Sequence, residues 1–326
     1  MEHKIYIDNL RGLAIFIVVM GHCCEFGIGE RHSLFNDLYY SFHMPLFMFI
    51  SGLVAYQRDN MSFGKFFANK FNRLIIPFLT IGMFLSCWAR NLTVFQFWMS
   101  DSKCGYWYLY TYFVILMITY PAYKLSIEFN QSKSIWKDIF FYCIPFVLLL
   151  FLFPVIRKYQ DILTYLSLLK LYPFFILGLL MTKYPSMVLY LRRNICMFFM
   201  QLMTVASFFI LRKFEYPISL CGYFLVPIIF LMFKDSLFLN KSSLFTKIGG
   251  ATLQIYVLHY FFIPHLPGVN DYLKNASCFF VPNSNILLYF VVSSVIAIWV
   301  ILASLLIVRI ANSSSWMNYL LFGIKR

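Results

Sequence analysis

Arg11 and His22 stand eleven residues apart in the first apolar run of the chain. Eleven residues close three helical turns to within about 20°, so both side chains share one face, about 16 Å apart along the axis. They cannot touch in a straight helix, but they can line one groove. A guanidinium holds phosphate or neutralises an anion, and an imidazole takes and returns a proton near neutral pH. Charged and ionisable groups inside a membrane span are costly and mark function by default. The plainer readings stand beside this one. Asp8, three residues before Arg11, is placed to pair with it, and His22 can be a packing histidine held by a backbone carbonyl.

Further candidates follow along the chain. His43 lies within Ser41-Phe42-His43-Met44-Pro45, and Ser51-Gly52 closes the same run, where a glycine permits close backbone approach. Lys70 and Arg73 precede Pro77 and open the third run, and Trp107 stands at the start of the fourth. Lys170 begins the sixth run, and a helix starting just after it makes it an interfacial lysine. His259 ends the stretch Ile248-Gly249-Gly250-Ala251-Thr252-Leu253-Gln254-Ile255-Tyr256-Val257-Leu258-His259. Three histidines at similar depth are geometrically compatible with zinc, but no metal-ligand spacing occurs within any helix, and no metal is expected.

The elements that must position these residues are apolar. Of 326 residues, 61% are hydrophobic and 12% charged, half the charge of a soluble domain, which excludes a soluble enzyme and a disordered chain. The apolar runs are long and continuous rather than alternating, which argues against a β-barrel. The reading is an all-α polytopic membrane protein. Ten runs can span: 8–24, 34–56, 74–90, 106–123, 138–154, 169–187, 194–211, 217–233, 246–263 and 286–308. The first, broken by Arg11 and lacking a small-residue cleavage pattern, reads as an uncleaved helix rather than a signal peptide. With the N-terminus inside, seventeen basic residues fall on the inner side, among them Lys4, Arg58, Lys325 and Arg326, and eight on the outer. Both termini are therefore expected to be cytoplasmic. The same pattern accounts for the net charge of +14 without nucleic acid. The eight cysteines (Cys23, Cys24, Cys87, Cys104, Cys143, Cys196, Cys221, Cys278) form no CxxC and read mostly as small hydrophobes. No room remains for a second soluble domain, so residues 1–326 are expected to form one membrane domain. A transporter or flippase is the alternative class, although no internal repeat supports it.

Taken in order, these motifs resemble the acyltransferase-3 family of integral-membrane acyltransferases, in particular its fucose 4-O-acetylase-like and surface-glycan O-acetyltransferase branch. The resemblance rests on Asp8-Asn9-Leu10-Arg11-Gly12 with His22, Phe42-His43-Met44-Pro45-Leu46-Phe47, Phe49-Ile50-Ser51-Gly52, Arg73 with Pro77, Gly105-Tyr106-Trp107-Tyr108-Leu109, Pro173-Phe174-Phe175-Ile176-Leu177-Gly178, and Ile248-Gly249 through His259. Lys70 departs from the family's Arg-x-x-Arg pattern, and Gly250-Ala251-Thr252 replaces a frequent Asn or Ser pair. The resemblance implies ten helices and an O-acyltransferase without its own bound cofactor. Acetyl-CoA or another acyl-CoA would be the donor, and a surface glycan or lipid-linked saccharide the acceptor. It implies a multi-pass protein of the plasma membrane, the inner membrane in a bacterium, in contact with lipids and open to oligomerisation. His22 and Arg11 would be catalytic, and Lys70, Arg73, Ser51 and Gly52 would serve the donor. Asp8, His43, His259, Lys170 and Trp107 would stand on the acceptor side or in support. His22 would act as general base or carry the acyl group covalently, a choice the sequence leaves open.

Overall fold

The computed structural model describes residues 5–31, 34–56, 62–236, 241–275 and 286–324. Lys4, Arg58, Lys325, Arg326 and Cys278 lie outside them. Helix is the only regular secondary structure among the described residues, which contain no strand. Among the described residues seven helices are long and apolar enough to cross a bilayer: Ile5–Ile28, Phe63–Arg90, Ile135–Tyr159, Tyr165–Lys183, Asn194–Lys213, Ile218–Asp235 and Leu287–Ala311. Phe140, Phe151 and Val155 on one of these, and Phe198, Leu202 and Phe209 on another, are exposed. Two such long apolar surfaces are at home in lipid, not water. The chain is an all-α polytopic membrane protein.

Three of the ten expected runs take other forms. Trp107–Phe129 is one helix of 23 residues, long enough to span but with a more polar composition. The run 34–56 breaks into Leu34–Tyr40 and His43–Val54. Pro45 explains this break, because it has no N–H to give the Ser41 carbonyl and its ring crowds that group. The Ser41 hydroxyl donates to the Leu38 carbonyl at 2.6 Å, which satisfies the end of the first piece. His43 therefore begins a helix rather than sitting mid-span. The run 246–263 breaks at Ala251 into Leu244–Gly250 and Thr252–Leu258. There the Thr252 hydroxyl takes the Gly249 carbonyl at 2.6 Å.

The chain divides into two compact units, one comprising 1–50 and 185–309, the other 51–184 and 310–326. In the first, helix Ile5–His22 crosses Leu244–Gly250 backbone to backbone. A Cβ on Gly12 would run into the Phe245 carbonyl, and one on Gly249 into the Asp8 carbonyl. Asn9, buried at this crossing, donates to the Lys241 carbonyl at 3.0 Å and accepts from Ser243 and Thr246, each at 2.7 Å.

In the second unit, Trp107–Phe129, Ile135–Ile156 and Tyr165–Lys183 are tied by a buried carboxylate. Asp138 accepts from Ser126 (2.6 Å), Asn130 (2.6 Å) and Tyr184 (2.8 Å), and pairs with Lys183 at 2.5 Å. Buried charges are tolerated only with such full satisfaction. Gly52 meets the Phe175 carbonyl too closely for any Cβ, and the Thr182 hydroxyl donates to Leu53 O at 3.0 Å. In the loop before Trp107, Lys103 is fully buried, and its ammonium donates to three carbonyls, Trp98 (2.7 Å), Ser100 (2.8 Å) and Asp161 (2.7 Å). Burial lowers its pKa to about 8.

Candidate active site

The first unit gathers the three expected histidines. His22 ends the first helix just where its winding loosens into a π-helix over Cys23–Ile28, closed by Gly29 at φ 90°. His259 stands where Thr252–Leu258 tightens into a 3₁₀ turn, His259–Phe261. The His22 and His259 rings lie 5.4 Å apart between centroids with planes 18° from parallel. Tyr260, which the sequence reading passed over, completes the group, 5.0 Å from the His22 ring and 4.1 Å from that of His259. Its hydroxyl lies 3.0 Å from His22 Nε2.

The backbone separates the histidines by role. His259 Nδ1 faces the Tyr256 carbonyl at 2.6 Å and that of Ile255 at 3.3 Å. Carbonyls only accept, so Nδ1 carries the proton and Nε2 is left with a lone pair. His43 Nδ1 is held likewise by the Tyr39 carbonyl at 2.8 Å. Among the described residues His22 has no carbonyl partner, so either ring nitrogen can hold its proton. His22 Nδ1 and His259 Nε2 are the buried ring nitrogens that make no hydrogen bond among the described residues. His259 is wholly buried, whereas His22 and Tyr260 are half-buried.

His43 reaches this region through aromatic rings. It packs edge-on against Tyr39 and Tyr40, and the Tyr39 hydroxyl donates to the Gly21 carbonyl at 3.0 Å. The Tyr40 hydroxyl donates to Glu25, which faces Arg31 at 3.7 Å. Phe26 packs 5.4 Å from the His22 ring. Of these neighbours, Glu25 was findable at three residues from His22. Tyr40 and Arg31 carry no local signal.

Arg11 takes the plainer of its two readings: Nη1 donates to Asp8 Oδ1 at 3.0 Å. Its side chain remains 32% exposed, and a guanidinium has five N–H donors, so this pair leaves capacity for an anion.

The second unit holds the other candidates. Lys70 and Arg73 do not open their helix. It starts at Phe63, and the two residues flank the start of a π-helical stretch, Phe71–Ile75. Arg73 is exposed and forms no ion pair among the described residues. The Lys70 ammonium lies over the Phe66 ring at 5.6 Å. The Ser51 hydroxyl lies 2.9 Å from that of Tyr108, and Gly52 is a packing contact. Trp107 begins its helix and touches Tyr108 edge-on. Lys170 is not at a helix start. Thr164, in a left-handed turn at φ 48°, ends the loop, so the helix begins at Tyr165 and Lys170 projects from its second turn, exposed.

No curated protein and no solved structure matches the chain. The family model of the acyltransferase-3 family, an acyltransferase domain, matches residues 4–309. That range takes in His22, Arg11, His43, His259 and every other candidate above, and the chain belongs to this family of membrane acyltransferases.

Proposed function

We propose that the protein transfers an acetyl group from acetyl-CoA to a hydroxyl of a surface or exported glycan, with His22 as general base. One observation carries this reading. Among the described residues, His22 alone of the three clustered histidines has no ring hydrogen bond to the backbone, and it already engages a hydroxyl, that of Tyr260, through Nε2. The Tyr260 oxygen lies against Nε2 at the distance an acceptor hydroxyl needs to surrender its proton. In the reaction, the acceptor oxygen attacks the thioester carbonyl carbon while its proton passes to Nε2. The tetrahedral adduct then collapses, the C–S bond breaks, and the departing thiolate takes the proton from the imidazolium. The products are an O-acetyl ester and free coenzyme A.

Arg73, exposed and without a carboxylate partner among the described residues, suits a coenzyme phosphate, with Lys70 three residues before it. Arg11, one edge committed to Asp8, offers its other N–H groups to a second anion. On this reading both termini are cytoplasmic, where coenzyme A is held, and the membrane is the plasma membrane. Family membership favours group transfer over transport.

The test is label transfer from acetyl-CoA into glycan in membranes holding wild type or His22→Ala at matched abundance. Transfer by wild type, lost in the variant, is expected. Equal transfer by both would remove His22 from the chemistry, and none by either would refute the donor or the acceptor.

A further inference from the structure

We propose that His259 is the positioning residue for His22: its Nε2 accepts the Nδ1 proton of His22 and so fixes His22 in the tautomer whose Nε2 lone pair faces Tyr260. In part this deepens the acyl-transfer reading above, because a general base works only with its lone pair toward the substrate. The tautomer itself is a property of the resting protein.

The argument is one of complementary needs. His259 Nδ1 is committed as a donor to the carbonyls of Tyr256 and Ile255, at 2.6 and 3.3 Å. Its Nε2 can then only accept, and it is buried without a partner among the described residues. His22 presents Nε2 to a hydroxyl at 3.0 Å and buries Nδ1, also without a partner. A buried polar atom left unpaired is costly. Here two such atoms sit on adjacent stacked rings, 5.4 Å between centroids and with planes 18° from parallel. The two needs are complementary if, and only if, Nδ1 of His22 carries the proton, and a turn of the rings out of their stacked arrangement that brings Nδ1 to Nε2 then satisfies both. The reverse tautomer sets two lone pairs against each other.

The local fold supplies the constraint. The His259 backbone N–H makes the last α-helical bond, to the Ile255 carbonyl, and where the chain tightens into the 3₁₀ turn His259–Phe261 the His259 ring faces the next carbonyl, that of Tyr256, at 2.6 Å. Helix geometry thereby sets the His259 tautomer, and His259 sets that of His22. A neutral imidazole thus occupies the orienting position that a carboxylate holds in Ser-His-Asp triads. It orients the base without storing a negative charge beside it in the membrane. His43, the other nearby histidine, is also fixed at Nδ1 by a carbonyl, but none of its ring atoms is buried without a partner.

The test uses full-length protein in lipid bilayers, with ¹⁵N-labelled histidine and solid-state NMR. His22 is assigned by difference from a His22→Gln sample. The expected spectrum places the His22 proton on Nδ1. In His259→Phe, which keeps a flat ring and removes the acceptor, His22 is expected to shift toward the Nε2–H form that an unconstrained imidazole prefers. Label transfer is measured in parallel. His259→Phe and His259→Asn are expected to lose about 10- to 100-fold. His259→Gln, whose amide oxygen reaches the place of Nε2, is expected to stay within about threefold of wild type, since it restores the acceptor. A proton on Nε2 of His22 in wild type overturns the proposal, even if every His259 variant fails to fold. So does an unchanged His22 in His259→Phe, or a Gln variant as impaired as Phe. Absence of label transfer by wild type sinks the acyl-transfer reading alone, and the tautomer measurement still decides this one.

Discussion

Gly249 and Gly250 are adjacent, yet the structure assigns them opposite responses to the same methyl group. On Gly249 the new Cβ falls onto the Asp8 carbonyl and close to the Gly12 nitrogen at 3.1 Å. These are backbone atoms of a helix and cannot rotate aside. The helices Ile5–His22 and Leu244–Gly250 must therefore part. Overpacking costs about 1–3 kcal/mol where side chains can adjust, and the upper end applies here. Parting also stretches the three hydrogen bonds of Asn9, at 3.0, 2.7 and 2.7 Å, each worth about 1 kcal/mol. The total for Gly249→Ala is about 3–5 kcal/mol. On Gly250 the Cβ meets nothing within 4 Å, and the backbone is not left-handed. Gly250→Ala is expected to be neutral or to stabilise by up to about 1 kcal/mol. Denaturant titration of purified protein in one detergent gives both values. The effect also reaches function, because His22 and His259 lie further along the two chain segments that cross here. A displacement of about 1 Å costs roughly 100-fold in rate where geometry is exacting, so Gly249→Ala is expected to lose at least about tenfold in acetyl transfer while still folded. Equal stability of the two variants would refute the backbone crossing.

Other perturbations test the rest of the structure. Asp138→Ala strands Lys183, Asn130 and Tyr184 and is expected to cost about 3–5 kcal/mol; adding Lys183→Met should recover part of that loss in the same titration, and strict additivity would refute the network. Arg73→Gln is expected to raise KM for acetyl-CoA about 10- to 100-fold with kcat little changed, the value of a charge-assisted contact, and an unchanged KM would remove Arg73 from the donor site. Lys103, with a folded pKa of about 8 against 10.5 in the unfolded chain, binds fewer protons folded than unfolded between those values. Stability should therefore rise as pH increases from about 8 to 10.5, with the burial cost fully present below pH 8. Relative to Lys103→Met, which has no such group, wild type should gain stability between pH 7.5 and 10; a constant difference would show that the ammonium is not desolvated.

Hydropathy carried the helical class and most helix positions, because a membrane span must be both long and apolar. It joined pieces that the chain breaks, at Ser41-Phe42 and at Ala251. The first break was legible in Pro45, whose missing N–H acts four residues upstream, a distance over which an average of hydropathy is blind. The second rests on the Thr252 hydroxyl bond to Gly249, at 2.6 Å, which competes with the backbone and leaves no hydropathy signature. The pairing of Arg11 with Asp8 followed from three-residue spacing and is what the structure holds. Asp138 passed unnoticed as the start of an apolar run, although its burial is complete. Its partners stand on or just past the ends of other helices, up to 46 residues away, and no local pattern brings them together.

His22, His43 and His259 were all visible as ionisable groups in apolar runs, but residue type does not rank them. Rank comes from where the proton can reside. A histidine whose Nδ1 reaches a carbonyl three or four residues back is fixed, as His43 and His259 are. His22 escapes this because its side chain engages the Tyr260 hydroxyl, 238 residues away in sequence. That contact depends on the turn at His259–Phe261, where 3₁₀ winding replaces α-helical winding and lets consecutive side chains, His259 and Tyr260, both contact the His22 ring. A change of winding by a fraction of a residue per turn thus decides which imidazole can exchange a proton, and no spacing rule based on a regular helix would single out Tyr260.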